Sequence, residues 1–139
     1  MIRVLIVDDH PFLRLGVSLL LAQAEGIAVV GECTDGSEVL GAASAARPDV
    51  VLMDINMPGT SGLDATRALL STQPTARILM FTASTTSGNI EEAASAGAAG
   101  YLFKGGDAQA LLAAVRAVAD GRSVWPGDAI DMSPAQRSC

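Results

Sequence analysis

The chain has 139 residues, half of them hydrophobic, which predicts a single globular domain with a buried core. A formal net charge of -6 argues against a nucleic-acid surface on this chain, because phosphate backbones are bound by clustered Lys and Arg. No apolar run approaches the ~18 residues of a membrane span, and the first strand begins at Ile2, so we expect a cytoplasmic protein with no membrane partner. Cys33 and Cys139 show no metal or redox spacing and are interpreted as free thiols.

The first third of the chain predicts two strands and two helices. The strand at 2–7 is followed by a helix at 11–23, in which Pro11 suits the first helical position. A second strand is predicted at 27–33. Turn and capping residues at 35–38 then precede a short Ala-rich helix that Pro48 closes.

The remaining elements follow from apolar periodicity and turn residues. In chain order they are a strand at 50–53, a loop at 58–62, a helix at 63–73, a strand at 78–81, a Ser/Thr-rich loop at 82–88, a short helix at 89–96, a strand at 100–103 and a helix from Asp107 to Gly121. Asp107 is predicted to cap this last helix. The pattern is lost after Pro126, so we predict one domain over 1–126 and a linker or tail over 127–139.

Alternating strands and helices with short loops predict an α/β fold. The strands are expected to be parallel, with helices on both faces, because crossovers between parallel strands are right-handed. We predict a flavodoxin-like, doubly wound sheet of five strands in the order 2-1-3-4-5, with five helices. The first and third strands would then lie side by side at the switch point.

Four apolar runs end in polar residues that would meet at the carboxyl edge of this sheet. Asp8 and Asp9 follow the first strand, Asp54 the third, Thr82 the fourth and Lys104 the fifth. Two unit charges about 5 Å apart repel by about 3 kcal/mol at an effective dielectric constant of about 20, so clustered carboxylates need a cation. Oxygen ligands without a Cys or His cluster favour Mg2+, with Mn2+ possible.

The assignment of ligands follows from position. We expect Asp9 and Asp54 to bind the ion directly and Asp8 to act through water, with the backbone carbonyl of Asn56 as a further ligand. Thr82 and Lys104 would supply a hydroxyl and an ammonium to the oxygens of a phosphoryl group on Asp54. Carboxylate nucleophile, metal, hydroxyl and Lys together indicate phosphoryl transfer.

These residues carry a family resemblance. Together with Pro58 and Gly62, they resemble the receiver domain (REC, CheY-like) of bacterial two-component response regulators over about 2–126. The NarL/FixJ (LuxR-type) branch is indicated by the motifs Val7-Asp8-Asp9-His10-Pro11, Gly100-Tyr101-Leu102-Phe103-Lys104, and Gly121 before Trp125-Pro126.

The resemblance implies a phosphorylation-controlled switch. Asp54 would take a phosphoryl group from a phosphohistidine of a sensor histidine kinase, with Mg2+ held by Asp9, Asp54 and the Asn56 carbonyl. Thr82 and Lys104 would bind the acyl phosphate, Tyr101 would turn inward as the aromatic switch, and the small Ala83 would leave the site open. The chain would promote its own phosphorylation and dephosphorylation without being an enzyme in the usual sense.

The resemblance also implies partners. A phosphorylated receiver would form a homodimer, through its last helix with either the first helix or the fourth helix and fifth strand. It would control transcription through a DNA-binding helix-turn-helix output domain, which is absent from these residues.

Three alternatives stay open. A receiver-only protein would have no output domain, and a phosphate-independent interaction module would use the same fold without this switch. A haloacid-dehalogenase-type phosphatase also has a nucleophilic Asp after a strand, but its second acid would fall at Asn56, which has no acidic proton to donate. His10, beside two acids, suggests a metal ligand or phosphodonor, yet a lone histidine at a helix start is more often structural.

Overall fold

A computed structural model describes residues 1–83 and 87–126. Its strands and helices follow one another in chain order: β1 (Ile2–Val7), α1 (Pro11–Gln23), β2 (Ile27–Cys33), a 3-10 turn (Gly36–Glu38), α2 (Val39–Ala46), β3 (Val50–Met53), α3 (Gly62–Thr72), β4 (Ile78–Thr82), α4 (Ser87–Ala96), β5 (Gly100–Phe103) and α5 (Ala108–Ala119). The five strands form one parallel sheet in the order β2-β1-β3-β4-β5, which confirms the predicted doubly wound topology.

Both faces of the sheet are buried. Alternate side chains along each strand point to opposite faces, and each face packs into its own hydrophobic core. On β1, Leu5 and Val7 pack into a cluster with residues of α2, α3 and α4. The intervening Val4 and Ile6 pack with residues of α1 and α5. This two-sided burial explains why the central strands are continuous apolar runs rather than alternating ones.

Helix starts follow local chemistry where a capping residue is present. The Ser61 side chain accepts a hydrogen bond from the Asp64 amide at the start of α3, and Asp107 accepts one from the Ala110 amide at 2.8 Å at the start of α5. The predicted Asp107 cap is therefore confirmed. Pro11 occupies the first turn of α1, as its fixed φ favours.

Both boundaries of one predicted loop are wrong. The sequence predicts a Ser/Thr-rich loop at 82–88, but β4 extends to Thr82 and α4 already begins at Ser87, and 84–86 lie outside the described residues. Ile90 and Ala93 are buried against the sheet and anchor α4. The residues from Ser87 onward extend the helix toward its N-terminus, although they show no apolar periodicity of their own. The predicted tail at 127–139 also lies outside the described residues. Within the part of the chain that is described, no helix is both long and apolar enough to cross a bilayer.

Candidate functional site

Asp54 is held rigidly at the carboxyl end of β3. Its amide donates to the carbonyl of Val7 at 2.9 Å, and its side chain is only 3% exposed. The start of α3 passes directly over this point, where the Gly62 amide donates to the Ile55 carbonyl at 2.9 Å. A Cβ on Gly62 would overlap the Asp54 carbonyl and lie 2.9 Å from the Ile55 Cα, so this close approach requires glycine.

An acidic cluster surrounds the Asp54 carboxylate. One oxygen each of Asp8, Asp9 and Asp54 and a ring nitrogen of His10 all lie within 4.8 Å of one another. The Lys104 Nζ lies 2.7 Å from Asp8 Oδ2 and 2.9 Å from Asp54 Oδ2, and its side chain is 10% exposed. The strand order therefore brings together Asp8, Asp9, Asp54 and Lys104, as the sequence predicted.

The negative charge of the cluster is only partly balanced by neighbouring cations. Among the described residues, Lys104 forms ion pairs with Asp8 and Asp54 but not with Asp9, so the mutual repulsion of the three carboxylates is only partly offset. His10 Nδ1 lies 3.2 Å from Asp9 Oδ1, but the geometry does not form a hydrogen bond, and this buried oxygen has no hydrogen-bond partner within the described ranges. An unsatisfied buried carboxylate oxygen beside two other acids fits a bound divalent cation.

Thr82 and Ala83 close the neighbouring strand end. Thr82 is completely buried, and its carbonyl accepts a hydrogen bond from the Lys104 amide at 2.9 Å, which ties the ends of β4 and β5 together. Ala83 is exposed directly after it. The buried Thr82 therefore lies at the same sheet edge as the acidic cluster.

The other two predicted site residues lie on different elements. Asn56 is exposed on the loop between β3 and α3. Tyr101 is buried on β5, its ring centroid 5.7 Å from that of Phe103 in an edge-to-face arrangement. The side chain of Tyr101 thus has the inward orientation that the switch hypothesis assigns to the active state.

Two supporting residues were not found from the sequence. Arg14 of α1 donates to the Asp8 carbonyl at 2.7 Å and pairs with Glu32 at 3.1 Å, which fixes the end of β1. Its position one turn beyond His10 is the only sequence signal for this role.

Asp35 holds the loop that follows Asp54. The sequence predicted it as a turn residue, and its carboxylate does accept from the Ser37 amide, but it also accepts from the amides of Gly59 and Thr60 at 2.9 and 3.1 Å. Hydrogen bonds from Ser37, Thr60 and Gly59 stabilise the charged form and lower the pKa of Asp35 to about 2. Nothing in the local sequence connects residues that are more than 20 positions apart.

Comparison with known proteins identifies the family. The sequence model of the response regulator receiver domain matches residues 4–116. The chain belongs to this family. It is the receiver domain of a response regulator of the NarL/FixJ type.

Individual relatives support this assignment. The chain is 43% identical over 122 residues to the response regulator GacA of Pseudomonas aeruginosa, and 44% identical over 123 residues to the nitrate/nitrite response regulator NarP of Escherichia coli. Each match covers 88% of this chain and 57% of the relative, so the receiver spans little more than half the length of these proteins.

Solved structures agree with the fold. A two-component response regulator of the LuxR family from Aurantimonas superposes with a TM-score of 0.89 at 36% identity, covering 99% of this chain and 98% of that one. The receiver domain of the putative response regulator NarL from Mycobacterium tuberculosis gives 0.83 at 36% identity, covering 87% and 98%. Family membership therefore favours the receiver over the phosphatase alternative.

Proposed function

We propose that Asp54 is the phosphoryl acceptor of this receiver and that a sensor histidine kinase is the donor. The observation that carries the proposal is the contact of Lys104 with both Asp54 and Asp8, beside a buried Asp9 oxygen that lacks a hydrogen-bond partner. A carboxylate oxygen is itself the nucleophile in this reaction, so no general base is needed to activate it.

The transfer is a simple exchange of bonds. A carboxylate oxygen of Asp54 forms a bond to phosphorus while the phosphorus–nitrogen bond of the donor phosphohistidine breaks. The electron pair of that bond stays on the donor imidazole, and an aspartyl phosphate results. In such a transfer the protein mainly positions the groups and neutralises charge on the phosphoryl oxygens.

The receiver's own residues have separate parts in this scheme. Asp9, Asp54 and the Asn56 carbonyl would hold Mg2+ directly, with Asp8 acting through water, and the bound ion would supply positive charge to the phosphoryl oxygens. Lys104 would move its ammonium from the carboxylates to a phosphoryl oxygen, and the Thr82 hydroxyl would donate to another.

The switch connects this site to the output. Movement of Thr82 toward the phosphoryl group would favour the inward position of Tyr101. The same site would promote loss of the phosphoryl group by hydrolysis, which returns the receiver to its resting state.

An interaction between two copies follows from the exposed face of α1. Phe12, Leu15 and Leu19 lie at helical spacing on this face and are all exposed, Phe12 by 91%. They favour a phosphorylation-dependent homodimer through α1 and α5 over one through α4 and β5. The dimer would regulate transcription through a DNA-binding output domain outside these residues, as the partial coverage of the relatives suggests.

Intact mass spectrometry tests the proposal. The receiver is incubated with Mg2+ and acetyl phosphate, beside Asp54→Asn and the control Asp64→Asn, which changes an exposed acid on α3. We expect one added phosphoryl group in the parent and in Asp64→Asn, and none in Asp54→Asn or with a chelator. No addition to the parent, together with no Mg2+ binding, would instead support a phosphate-independent interaction module.

A further inference from the structure

The ring of His10 points into the acidic cluster rather than capping its helix. His10 is the N-cap residue of α1, yet its side chain makes no capping hydrogen bond. Its amide donates to Asp8 Oδ1 at 2.8 Å, and its Nδ1 lies 3.0 Å from the same oxygen. The start of α1 therefore does not need the imidazole, and the imidazole is held against the carboxylates.

We propose that His10 Nδ1 is an additional ligand of the cation site, which makes this a mixed nitrogen and oxygen site with a raised preference for Mn2+ and Ni2+ over Mg2+. This inference rests on the proposed cation site formed by Asp8, Asp9 and Asp54. It assigns a metal-binding role to a residue that the sequence alone favoured as structural.

The distances suit neighbouring ligands of one ion. Metal bonds of about 2.1 Å at right angles place adjacent ligand atoms about 3.0 Å apart. His10 Nδ1 lies 3.0 Å from Asp8 Oδ1 and 3.2 Å from Asp9 Oδ1, and 3.8 Å from Asp54 Oδ2. The four donor atoms lie within 4.8 Å of one another, and opposite ligands with such bonds lie about 4.2 Å apart, so small side-chain shifts would bring all four to one ion.

Lys104 and His10 approach different oxygens of Asp8, although both approach Oδ2 of Asp54. The Lys104 ammonium contacts Oδ2 of Asp8, whereas His10 approaches Oδ1 of that carboxylate. The unpartnered oxygen of Asp9 is also the one nearest His10. With a transition ion, Asp8 Oδ1 would bind directly, rather than through water as proposed for Mg2+, and the contact between Lys104 and Asp8 Oδ2 would stay intact.

The chemical consequence is a change in selectivity. Mg2+ prefers oxygen ligands, whereas imidazole suits first-row transition ions, whose affinity rises from Mn2+ to Ni2+. Phosphorylation supported by Mg2+ needs only the carboxylates and carbonyl. His10 would therefore matter little for Mg2+ and strongly for the transition ions.

Electron spin echo envelope modulation of bound Mn2+ tests this directly. The sequence contains a single histidine, so in protein without an affinity tag an imidazole signal can come only from His10. We expect nitrogen modulation from a coordinated imidazole in the parent, a change from the 14N to the 15N pattern when only histidine is labelled, and loss of the signal in His10→Ala. The labelled parent gives the answer even if the variant fails to fold.

Calorimetric titration supplies a second readout. In His10→Ala we expect roughly 10- to 100-fold weaker Ni2+ binding, and little change for Mg2+. Equal losses for both ions would contradict a ligand role. Mn2+ binding without a histidine signal would overturn this inference and leave the proposed function intact, whereas no Mn2+ or Mg2+ binding would overturn both.

Discussion

Substitution of Gly62 by alanine tests how the fold positions Asp54. The new Cβ would overlap the Asp54 carbonyl and lie 2.9 Å from the Ile55 Cα, and both contacts are backbone atoms that cannot rotate away. Overpacking of this kind costs about 1–3 kcal/mol, and the absence of any flexible neighbour places Gly62→Ala at the upper end. The helix-propensity gain of at most about 1 kcal/mol offsets part of this cost.

We therefore expect Gly62→Ala to lower the free energy of unfolding by about 2 kcal/mol, measured by urea denaturation at equilibrium. A loss of this size lowers the Tm by roughly 6–10 °C in a domain of this length. Phosphorylation by acetyl phosphate should also slow, because the displaced carbonyl belongs to Asp54 itself.

Gly16→Ala is the matched control, since a Cβ at this position of α1 meets no atom within 4 Å. It should raise the free energy of unfolding by about 0.5–1 kcal/mol through helix propensity. A Gly62→Ala protein as stable as the parent, or equal losses in both variants, would refute the assignment of Gly62 to a close backbone contact.

Three further predictions concern charged and titratable groups. Lys104→Met should lower the free energy of unfolding of the metal-free receiver by roughly 3 kcal/mol, because Asp8 and Asp54 lose their buried partner. Mg2+ should raise the Tm of the variant more than that of the parent. Equal effects of Mg2+ on the two proteins would contradict this. Asp35 has a pKa lowered from 3.8 to about 2, so its charge stabilises the fold fully above about pH 4, and this contribution is lost as the pH falls toward 2. The stability difference between the parent and Asp35→Asn should shrink over that range, and a constant difference would argue against the hydrogen bonds to its carboxylate. Burial raises the pKa of Cys33 to about 11. Peptide mapping after mild alkylation should therefore show much slower labelling of Cys33 in the folded than in the urea-unfolded protein. Equal labelling rates would place the thiol outside the core.

Helix α5, which would contribute to a dimer, contains residues that the sequence pattern cannot distinguish. Ala113 and Ala114 are adjacent small residues on α5 and look equivalent in the sequence. In the structure Ala114 is buried against the sheet and Ala113 is exposed, so of these two residues Ala113 is the one that could contact a second copy. The difference depends on the helix rotation that packing of Val115 and Val118 selects.

The sequence by itself determined the strand order and the convergence of Asp8, Asp9, Asp54 and Lys104. Buried parallel strands must be apolar, so the polar residues that end them are conspicuous, and the topology then places all four on one edge. Only the tertiary structure decided which groups support that edge. Two examples are the hydrogen bonds from the loop at 59–60 to Asp35 and the approach of the His10 ring to the carboxylates. No periodic pattern encodes these distances, because periodicity reports which face of an element is buried and not what lies opposite that face.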